Sequence, residues 1–315
     1  MRKILFLFCI VLLTACHTKH DGTLTIGVLK GPSAISVSQW LDKAPVIDGK
    51  KLHIEIFEEP ADLQAKMIQG KVDFAVLPTT IAAILYNKGV DYRMIACPVQ
   101  GSVSVVSSDS ITSFNDLKNK TVSVSGQGTT PDVLFTLLAS KYGFRNKELL
   151  IDYKIGNHPD LAQAIIMGKI TTALLPEPFA TMACSKNRSV RNVISLSNEL
   201  AKVDSTLLFA MTAFVARKEL VEKNPAMIDS ISNRYQSALG WLRSNTSKAA
   251  DVTVAAGILP NKEIALRSIP KCNMRYLKAS DNWQRIEKYL DIYFHFDPKT
   301  VGGKLPDKRF YYGIH

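Results

Sequence analysis

Four loops carry the residues best suited to holding a small molecule. They comprise residues 30–34 (Lys30, Gly31, Pro32, Ser33, Ala34), 78–80 (with Thr79 and Thr80), 126–131 (with Gly128, Thr129 and Thr130) and 176–178 (with Glu177). Glycine lets a backbone approach a ligand, and the N–H groups at the start of a following helix carry partial positive charge. Thr and Ser hydroxyls donate or accept hydrogen bonds. These loops predict small-molecule contacts, although Ser33, Thr79 and Thr129 fit helix caps equally well.

Glu177 is the acidic residue of these loops, and a proline stands on each side of it. Proline restricts its own backbone and that of the preceding residue, so the carboxylate takes a defined direction. It suits an amine or another donor on a ligand, or a nearby lysine. Both the ligand-binding and the structural interpretation stay open, because positioned carboxylates occur in ligand sites and in structural ion pairs.

The sequence contains no recognisable catalytic or cofactor-binding motif. Metalloprotease, serine-hydrolase and phosphate-loop motifs are absent, and Gly126-Gln127-Gly128 lacks the third glycine of a dinucleotide fingerprint. His158 lies on a loop of the kind described above, but the start of a helix is the favoured interpretation. Of the other histidines, His17 and His20 lie beside Cys16, His53 lies on a predicted strand, His295 lies in an aromatic stretch and His315 is the last residue of the sequence. We therefore predict a protein that is not an enzyme, with no catalytic residues, no metal and no cofactor.

The N-terminus has the pattern of an export signal. Arg2 and Lys3 precede ten apolar residues, and Leu13-Thr14-Ala15-Cys16 follows at once. A basic start, a short apolar core and small residues before a cleavage point predict a signal peptide over 1–15. The ending resembles a bacterial lipobox, which implies a lipid (palmitate) anchor on Cys16, a tether over 16–23 and a cell-envelope location facing the periplasm or exterior. An ordinary signal peptide with an incidental cysteine is the alternative.

Charge and cysteine content exclude two further classes. The formal net charge is +11, but the basic residues are scattered and not interleaved with aromatics, so no nucleic-acid partner is predicted. Beyond the N-terminal region stand Cys97, Cys184 and Cys272, without short paired spacing. That spacing fits neither a disulfide framework nor a zinc site. Single buried thiols are favoured, and one bridge stays open.

An internal repeat organises the chain. Residues 62–85 align without gaps on residues 160–183, and nine of the 24 positions are identical. The flanking segments also correspond, so two units cover about 24–98 and 120–196. Each reads as strand, glycine loop, helix, strand, helix, strand, short helix and strand. Such alternation predicts an α/β fold with mainly parallel sheets flanked by helices.

About three hundred mature residues exceed one core, so two lobes are expected. In open α/β sheets, ligands bind beyond the carboxyl ends of the strands, which is where the four loops fall. A ligand cleft between the lobes follows. The segment from Met227 onward is rich in helix, and its stripe of apolar residues at helical spacing predicts core packing. The stripe comprises Met227, Ile228, Ile231, Tyr235, Ala238, Leu239 and Leu242.

Several ordered motifs resemble the nitrate/sulfonate/thiamine-precursor solute-binding proteins, a type II periplasmic-binding-protein family. The motifs are Leu24-Thr25-Ile26-Gly27, Gly70-Lys71-Val72-Asp73-Phe74-Ala75, Ser113-Phe114-Asn115-Asp116-Leu117-Lys118-Asn119-Lys120-Thr121-Val122, Leu175-Pro176-Glu177-Pro178, Val215-Ala216-Arg217-Lys218-Glu219-Leu220 with Asn224-Pro225, and Val301-Gly302-Gly303-Lys304-Leu305-Pro306-Asp307 with Phe310-Tyr311-Tyr312. The resemblance covers almost the whole mature chain. It implies the solute-binding lipoprotein of an ABC importer, which acts as a monomer and has a permease and an ATPase as separate partner chains.

The same resemblance implies two chain crossings between lobes, near 101–105 and 209–215. Lobe 1 then comprises 24–102 and 208–315, and lobe 2 comprises 103–207; closure around the ligand is a hinge motion. The residues expected to line the cleft are Lys30, Gly31, Pro32, Ser33, Ala34, Thr79, Thr80, Gly101, Ser102, Gly128, Thr129, Thr130 and Glu177.

The ligand class remains open at this point. A sulfonate, a nitrate-like anion and a thiamine-precursor heterocycle all fit the resemblance. Lys30 and the helix starts suit an anion, whereas Glu177 suits an amine or a ring N–H, and a small zwitterion or heterocycle satisfies both. A surface-tethered enzyme or a signalling receptor on the same fold is the alternative function.

Overall fold

The structure is a computed structural model that describes residues 22–125, 127–145 and 148–314. The predicted signal peptide, Cys16 and Gly126 lie outside these residues.

Strands and helices alternate through the first two thirds of the chain, and helices dominate the last third. The strands are β1 (Thr23–Leu29), β2 (Val46–Ile47), β3 (Lys50–Phe57), β4 (Phe74–Pro78), β5 (Tyr92–Val99), β6 (Val103–Ser107), β7 (Thr121–Val124), β8 (Leu150–Asp152), β9 (Thr172–Pro176), β10 (Arg191–Ser195), β11 (Thr212–Arg217) and β12 (Met274–Lys278). The helices are α1 (Pro32–Ser36), α2 (Ser38–Asp42), α3 (Pro60–Ile68), α4 (Thr79–Asn87), α5 (Thr130–Lys141), α6 (His158–Ile166), α7 (Phe179–Lys186), α8 (Leu196–Val203), α9 (Lys218–Lys223), α10 (Pro225–Ser244), α11 (Thr246–Ala255), α12 (Lys262–Ser268) and α13 (Ala279–Phe296).

The strands form two mixed sheets. The first has the order β12-β5-β11-β4-β1-β3-β2, and the second has the order β10-β6-β9-β7-β8. In the first sheet β1 is parallel to β3 and β4, and in the second β7 is parallel to β8 and β9. Most strands of each sheet run in one direction, as predicted, namely β1, β3, β4 and β5 in the first and β7, β8, β9 and β10 in the second, and one crossing strand is inserted antiparallel between them in each sheet. That strand is β11 between β4 and β5, and β6 between β9 and β10.

The predicted repeat is present at the level of local hydrogen bonding. Helices α3 and α6, like strands β4 and β9, are offset by the same 98 residues. After α3, Gly70 has φ 67°, and Lys71 N–H donates to Lys66 O at 3.0 Å. After α6, Gly168 has φ 70°, and Lys169 N–H donates to Ala164 O at 3.0 Å. The repeated Gly-Lys pair therefore ends each helix in the same left-handed turn, which favours glycine.

Helix α10 confirms the predicted core stripe. Its seven predicted apolar residues are all buried, and Tyr235 packs its ring 5.0 Å from the rings of both Trp40 and Phe214. This helix therefore covers the first sheet with its apolar face. None of the helices in the described part of the chain is long and apolar enough to span a bilayer.

The chain passes twice between the sheets. It leaves β5 at Val99 and enters β6 at Val103, then returns from α8 to β11 at Thr212. The two passages lie side by side, since Gly101 N–H donates to Phe209 O at 3.0 Å. The two sheets are thus joined at one place, and the carboxyl ends of their parallel strands contribute to a shared cavity.

Candidate ligand-binding site

A cavity of about 540 Å³ lies between the two sheets. The chain that follows β1, β4, β7 and β9 contributes much of its lining, and Pro60 and His158 extend it beyond β3 and β8. All four loops singled out in the sequence therefore meet there, as the rule for open α/β sheets predicts.

Among the described residues, five helices of eight residues or more begin at this cavity. Their first-turn residues in the lining are Pro60 (α3), Thr80 (α4), Thr130 (α5), His158 (α6) and Phe179 (α7). The first N–H groups of a helix have no partner within the helix and carry partial positive charge. The cavity can therefore accommodate an acceptor or anionic group without a lysine or arginine beside it.

Nine of the thirteen predicted residues border the cavity. They are Lys30, Gly31, Pro32, Ser33, Thr80, Gly128, Thr129, Thr130 and Glu177. Ala34, Thr79, Gly101 and Ser102 do not border it. Ala34 is fully buried in the core, and the Thr79 hydroxyl donates to Ala210 O at 2.6 Å. Gly101 and Ser102 form the first passage between the sheets.

Glu177 is 3% exposed; the residue lines the cavity, and its carboxylate caps helix α7. Oε2 accepts from Thr181 N–H at 3.2 Å, and Oε1 accepts from the Thr181 hydroxyl at 3.0 Å. Burial raises the pKa of Glu177, and the Thr181 hydrogen bonds and the Lys271 charge oppose this rise. The structural interpretation drawn from the sequence is thus observed, since the carboxylate caps a helix, and the residue also lines the cavity.

Lys30 is less available to an anion than the sequence suggested. Its ammonium group is paired with Glu58 at 2.8 Å, and its side chain is 37% exposed. It is also the sole lysine or arginine among the described residues that line the cavity. The attraction for an anion therefore depends chiefly on the helix starts.

His158 borders the cavity, where the sequence favoured a simple helix start. Both are observed: His158 is the first residue of α6, and its Nδ1 hydrogen-bonds to the Ser125 hydroxyl. Burial lowers the pKa of His158 to about 4, so the imidazole is neutral at physiological pH. It therefore offers a hydrogen bond and no charge. Its position after β8, at the place of Pro60 in the other repeat unit, was the available signal.

The loop after β7 is shaped by Asp132. This residue is 1% exposed; its Oδ2 accepts from Gly128 N–H at 2.8 Å, and its Oδ1 accepts from the Tyr153 hydroxyl at 2.7 Å. Asp132 is the third residue of α5, and its carboxylate fixes the loop that leads into this helix. Gly128, with φ 75°, can then present its backbone to the cavity.

Residues from the last third of the chain also reach the cavity, and sequence reasoning missed them. Tyr293 from α13 is buried, and its hydroxyl donates to Thr130 O at 3.4 Å. Met211 and Thr300 line the same space. The sequence assigned Tyr293 to an aromatic packing stretch. No local pattern could place it opposite Thr130, because the two residues are 163 positions apart.

In the described part of the chain, no group of three or more His, Cys, Asp and Glu side chains could hold a metal ion. Cys97, Cys184 and Cys272 are free thiols, as favoured above. Burial raises the pKa of each thiol.

Residues 37–239 match the family described as "ABC transporter, phosphonate, periplasmic substrate-binding protein". The match covers more than half of the chain. The chain belongs to this family. It is a periplasmic substrate-binding component of an ABC importer, a class that binds a small ligand and delivers it to a permease. Family membership also implies an extracytoplasmic location.

Solved structures agree with this family. An ABC transporter from Parabacteroides distasonis is 29% identical, with a TM-score of 0.82 over 92% of this chain and 99% of that chain. The periplasmic aliphatic sulphonate binding protein of Escherichia coli is 16% identical, with a TM-score of 0.72 over 91% of this chain and 92% of that one. The periplasmic nitrate-binding protein of Synechocystis PCC 6803 is 11% identical, with a TM-score of 0.61 over 89% and 84%.

No match to the chain is found among curated proteins. The predicted resemblance to the nitrate/sulfonate-type binding proteins and the two-lobed fold are nevertheless confirmed by the family match and these structures.

Proposed function

We propose that this substrate-binding component captures a small organic solute that has an apolar body and a hydrogen-bond-donating group, such as an amine or a ring N–H. The solute binds between lobe 1 (24–102 and 208–315) and lobe 2 (103–207), and the permease receives it from there. The proposal favours a zwitterion or heterocycle over a simple anion.

The buried Glu177 carboxylate is the observation that carries this proposal. Its oxygens accept two hydrogen bonds from Thr181, which leaves lone pairs for a donor on the cavity side. A bound donor or cation would offset the desolvation that raises the Glu177 pKa. A second carboxylate or a sulfonate beside Glu177 would instead meet like charge.

The rest of the lining supports a solute that is largely apolar. Half of the 24 lining residues are proline, aliphatic, methionine or phenylalanine, including Ile81, Ile84 and Phe179. Sites for organic ligands combine such surfaces with a few placed polar groups. The neutral His158 and the N–H groups at the helix starts can bind an acceptor on the ligand. One ligand can therefore donate to Glu177 and accept from these groups.

Relatives supply the competing candidates. The structures described above include proteins whose names state aliphatic sulphonate and nitrate, and the family name states phosphonate. Each anion would depend on helix N–H groups and on Lys30, which is already paired with Glu58. The cavity of about 540 Å³ is also far larger than a nitrate ion needs.

The test is native mass spectrometry of the chain that begins after Cys16, compared with its denatured mass. A co-purified molecule that carries an amine or a ring N–H would support the proposal, and a co-purified sulfonate, phosphonate or nitrate would overturn the ligand class. If the protein is empty, a thermal-shift screen with aminopyrimidines, aryl amines, alkanesulfonates and nitrate decides the same question. Stabilisation by the anions alone would contradict it.

We further propose that Cys16 carries the lipid anchor and that the mature receptor is a monomer without a cofactor. The sequence pattern 13–16 supports the anchor. Metabolic labelling with palmitate should mark the wild-type chain and not the Cys16→Ser variant. Label on both chains would contradict the assignment.

A further inference from the structure

A hydrogen-bonded chain links the Glu177 carboxylate in one lobe to a lysine in the other. Lys271 Nζ donates to Thr181 Oγ1 at 3.3 Å, and Thr181 Oγ1 donates to Glu177 Oε1 at 3.0 Å. Lys271 lies on the turn Ile269–Cys272, directly before β12 of the first sheet, whereas Thr181 and Glu177 follow β9 of the second. These hydrogen bonds therefore connect residues that belong to different sheets.

The direction of these hydrogen bonds follows from the groups involved. An ammonium group can only donate, and a threonine hydroxyl has one hydrogen and two lone pairs. When Lys271 donates to the Thr181 oxygen, the Thr181 hydrogen is available for the carboxylate. A charge at one end of such a chain polarises the next bond. Thr181 is 1% exposed, so little water competes for its hydroxyl.

We propose that Lys271 is a positioning residue for ligand binding, which acts through Thr181 to hold the Glu177 carboxylate in its orientation at the cavity. This inference rests on the proposed function in one respect, namely that Glu177 meets the ligand. Lys271 does not border the cavity, so it does not act as a ligand contact. Its role also ties one lobe to the ligand-binding acid of the other.

The surroundings of Glu177 assign this role to Lys271 among the nearby charged groups. The Lys271 charge lowers the pKa of Glu177, against the effect of burial. Cys184 on α7 and Cys272 beside Lys271 are thiols whose own pKa values are raised, so both stay neutral near physiological pH. Arg267 on α12 acts on Cys184, and His158 on α6 is neutral. Lys271 is thus the cation linked to Glu177 by hydrogen bonds in the described part of the chain.

The test measures the titration of Glu177 by NMR of the unliganded protein with ¹³C-labelled glutamate side chains; Glu177→Gln assigns the signal. We expect Lys271→Met to raise the pKa of Glu177 above that of the wild type, because the opposing charge is lost. Thr181→Val should raise it too, because the hydroxyl link is lost while the backbone N–H bond remains. Lys271→Arg should restore a titration close to wild type.

Lys262→Met is the matched control. Lys262 lies on α12, nine residues before Lys271, and pairs with Asp251 at the surface. Its removal takes one positive charge from the same lobe without touching Thr181, so the Glu177 titration should not move. An unchanged titration in Lys271→Met or in Thr181→Val would overturn the inference. An equal shift in Lys262→Met would overturn it as well, since a general charge effect would then explain the result.

Binding of benzylamine, a probe with an apolar ring and one amine, gives a separate readout. At mildly acidic pH, Lys271→Met and Thr181→Val should bind it several-fold more weakly than Lys271→Arg does. Failure of the wild type to bind any amine or ring N–H compound would contradict the proposed ligand class and leave the NMR result standing. A Glu177 titration independent of Lys271 would contradict the positioning role whichever ligand binds.

Discussion

The ring of Phe209 lies directly against the α-carbon of Gly101. A β-carbon at residue 101 would fall 1.8 Å from Phe209 Cδ1, and the Gly101 N–H donates to Phe209 O at 3.0 Å. Gly101 belongs to the first passage between the sheets, and Phe209 belongs to the second. The contact joins the two segments that connect the sheets.

Gly101→Ala should therefore destabilise the protein. Since the ring and both backbones must shift, we expect a loss of about 1–3 kcal/mol in the free energy of unfolding, measured by urea denaturation. Gly240→Ala is the control, because Gly240 lies within α10 and a β-carbon there meets nothing within 4 Å. It should stabilise by about 0.5–1 kcal/mol through helix propensity. Equal effects of the two substitutions would contradict the packing account.

Asp73 should contribute more to the free energy of unfolding than an exposed carboxylate such as Glu219. It is 1% exposed, and it accepts from Thr25 N–H at 2.8 Å and from Arg217 Nη2 at 2.6 Å. Asp73→Ala leaves a largely buried guanidinium and a strand N–H without their partner, at a cost of about 3 kcal/mol.

The comparison is Lys223→Ala, which breaks an exposed pair with Glu219. That loss should stay below about 1 kcal/mol. Chemical denaturation of both variants measures the two costs. A similar, small effect for both would mean that the Asp73–Arg217 pair adds little to stability.

His158 predicts a specific acid dependence of stability. Its pKa is about 4 in the folded protein against 6.5 in the absence of burial. As the pH falls through this window, the imidazole of residue 158 becomes protonated in the unfolded chain but stays neutral in the folded chain. Stability is therefore lost between about pH 6.5 and about pH 4.

His158→Gln should lose less stability across that window than the wild type, as measured by urea unfolding at neutral and acidic pH. Glu177 has the opposite sign, because its raised pKa makes the folded protein hold a proton that the unfolded chain releases as the pH rises. Glu177 is present in both chains, so the difference between them reports on His158. Parallel pH profiles would refute the assignment.

Glu177→Gln and Thr129→Ala should weaken solute binding with little change in melting temperature. The glutamine keeps an oxygen that accepts from Thr181 N–H, so the cap on α7 survives while the charge is lost. Isothermal titration with the solute identified by mass spectrometry measures the effect. Wild-type affinity in both variants would contradict the proposed ligand site.

Substitutions of the neighbouring residues Thr79 and Thr80 should have different effects, the first on stability and the second on ligand binding. Thr79 does not line the cavity between the sheets, and its buried hydroxyl donates to Ala210 O, whereas Thr80 lines that cavity. Thr79→Ala should lower stability by about 1 kcal/mol, and Thr80→Ala should lower affinity at nearly constant melting temperature. Thermal melts and titrations of the two neighbours provide each other's control, and a reversed pattern would show that the cavity lining is misassigned.

Much of this molecule could be read from local sequence patterns. The repeat predicted the paired units from β1 to β5 and from β7 to β10, because strand, turn and helix signals depend on near neighbours. The stripe of apolar residues over 227–242 predicted the buried face of α10. The loops that border the cavity followed from a general rule about strand ends.

Tertiary structure decided what adjacent residues do. Thr79 and Thr80 look alike in sequence, yet one turns toward Ala210 and the other toward the cavity. Gly101 looked like a ligand-binding glycine until the ring of Phe209, 108 positions later, occupied the space beside it. Long-range packing likewise placed Tyr293 beside Thr130 and Lys271 beside Thr181. The physical reason is that repeating local patterns fix the elements, whereas side-chain neighbours at long range depend on how the two lobes pack together, which no local pattern encodes.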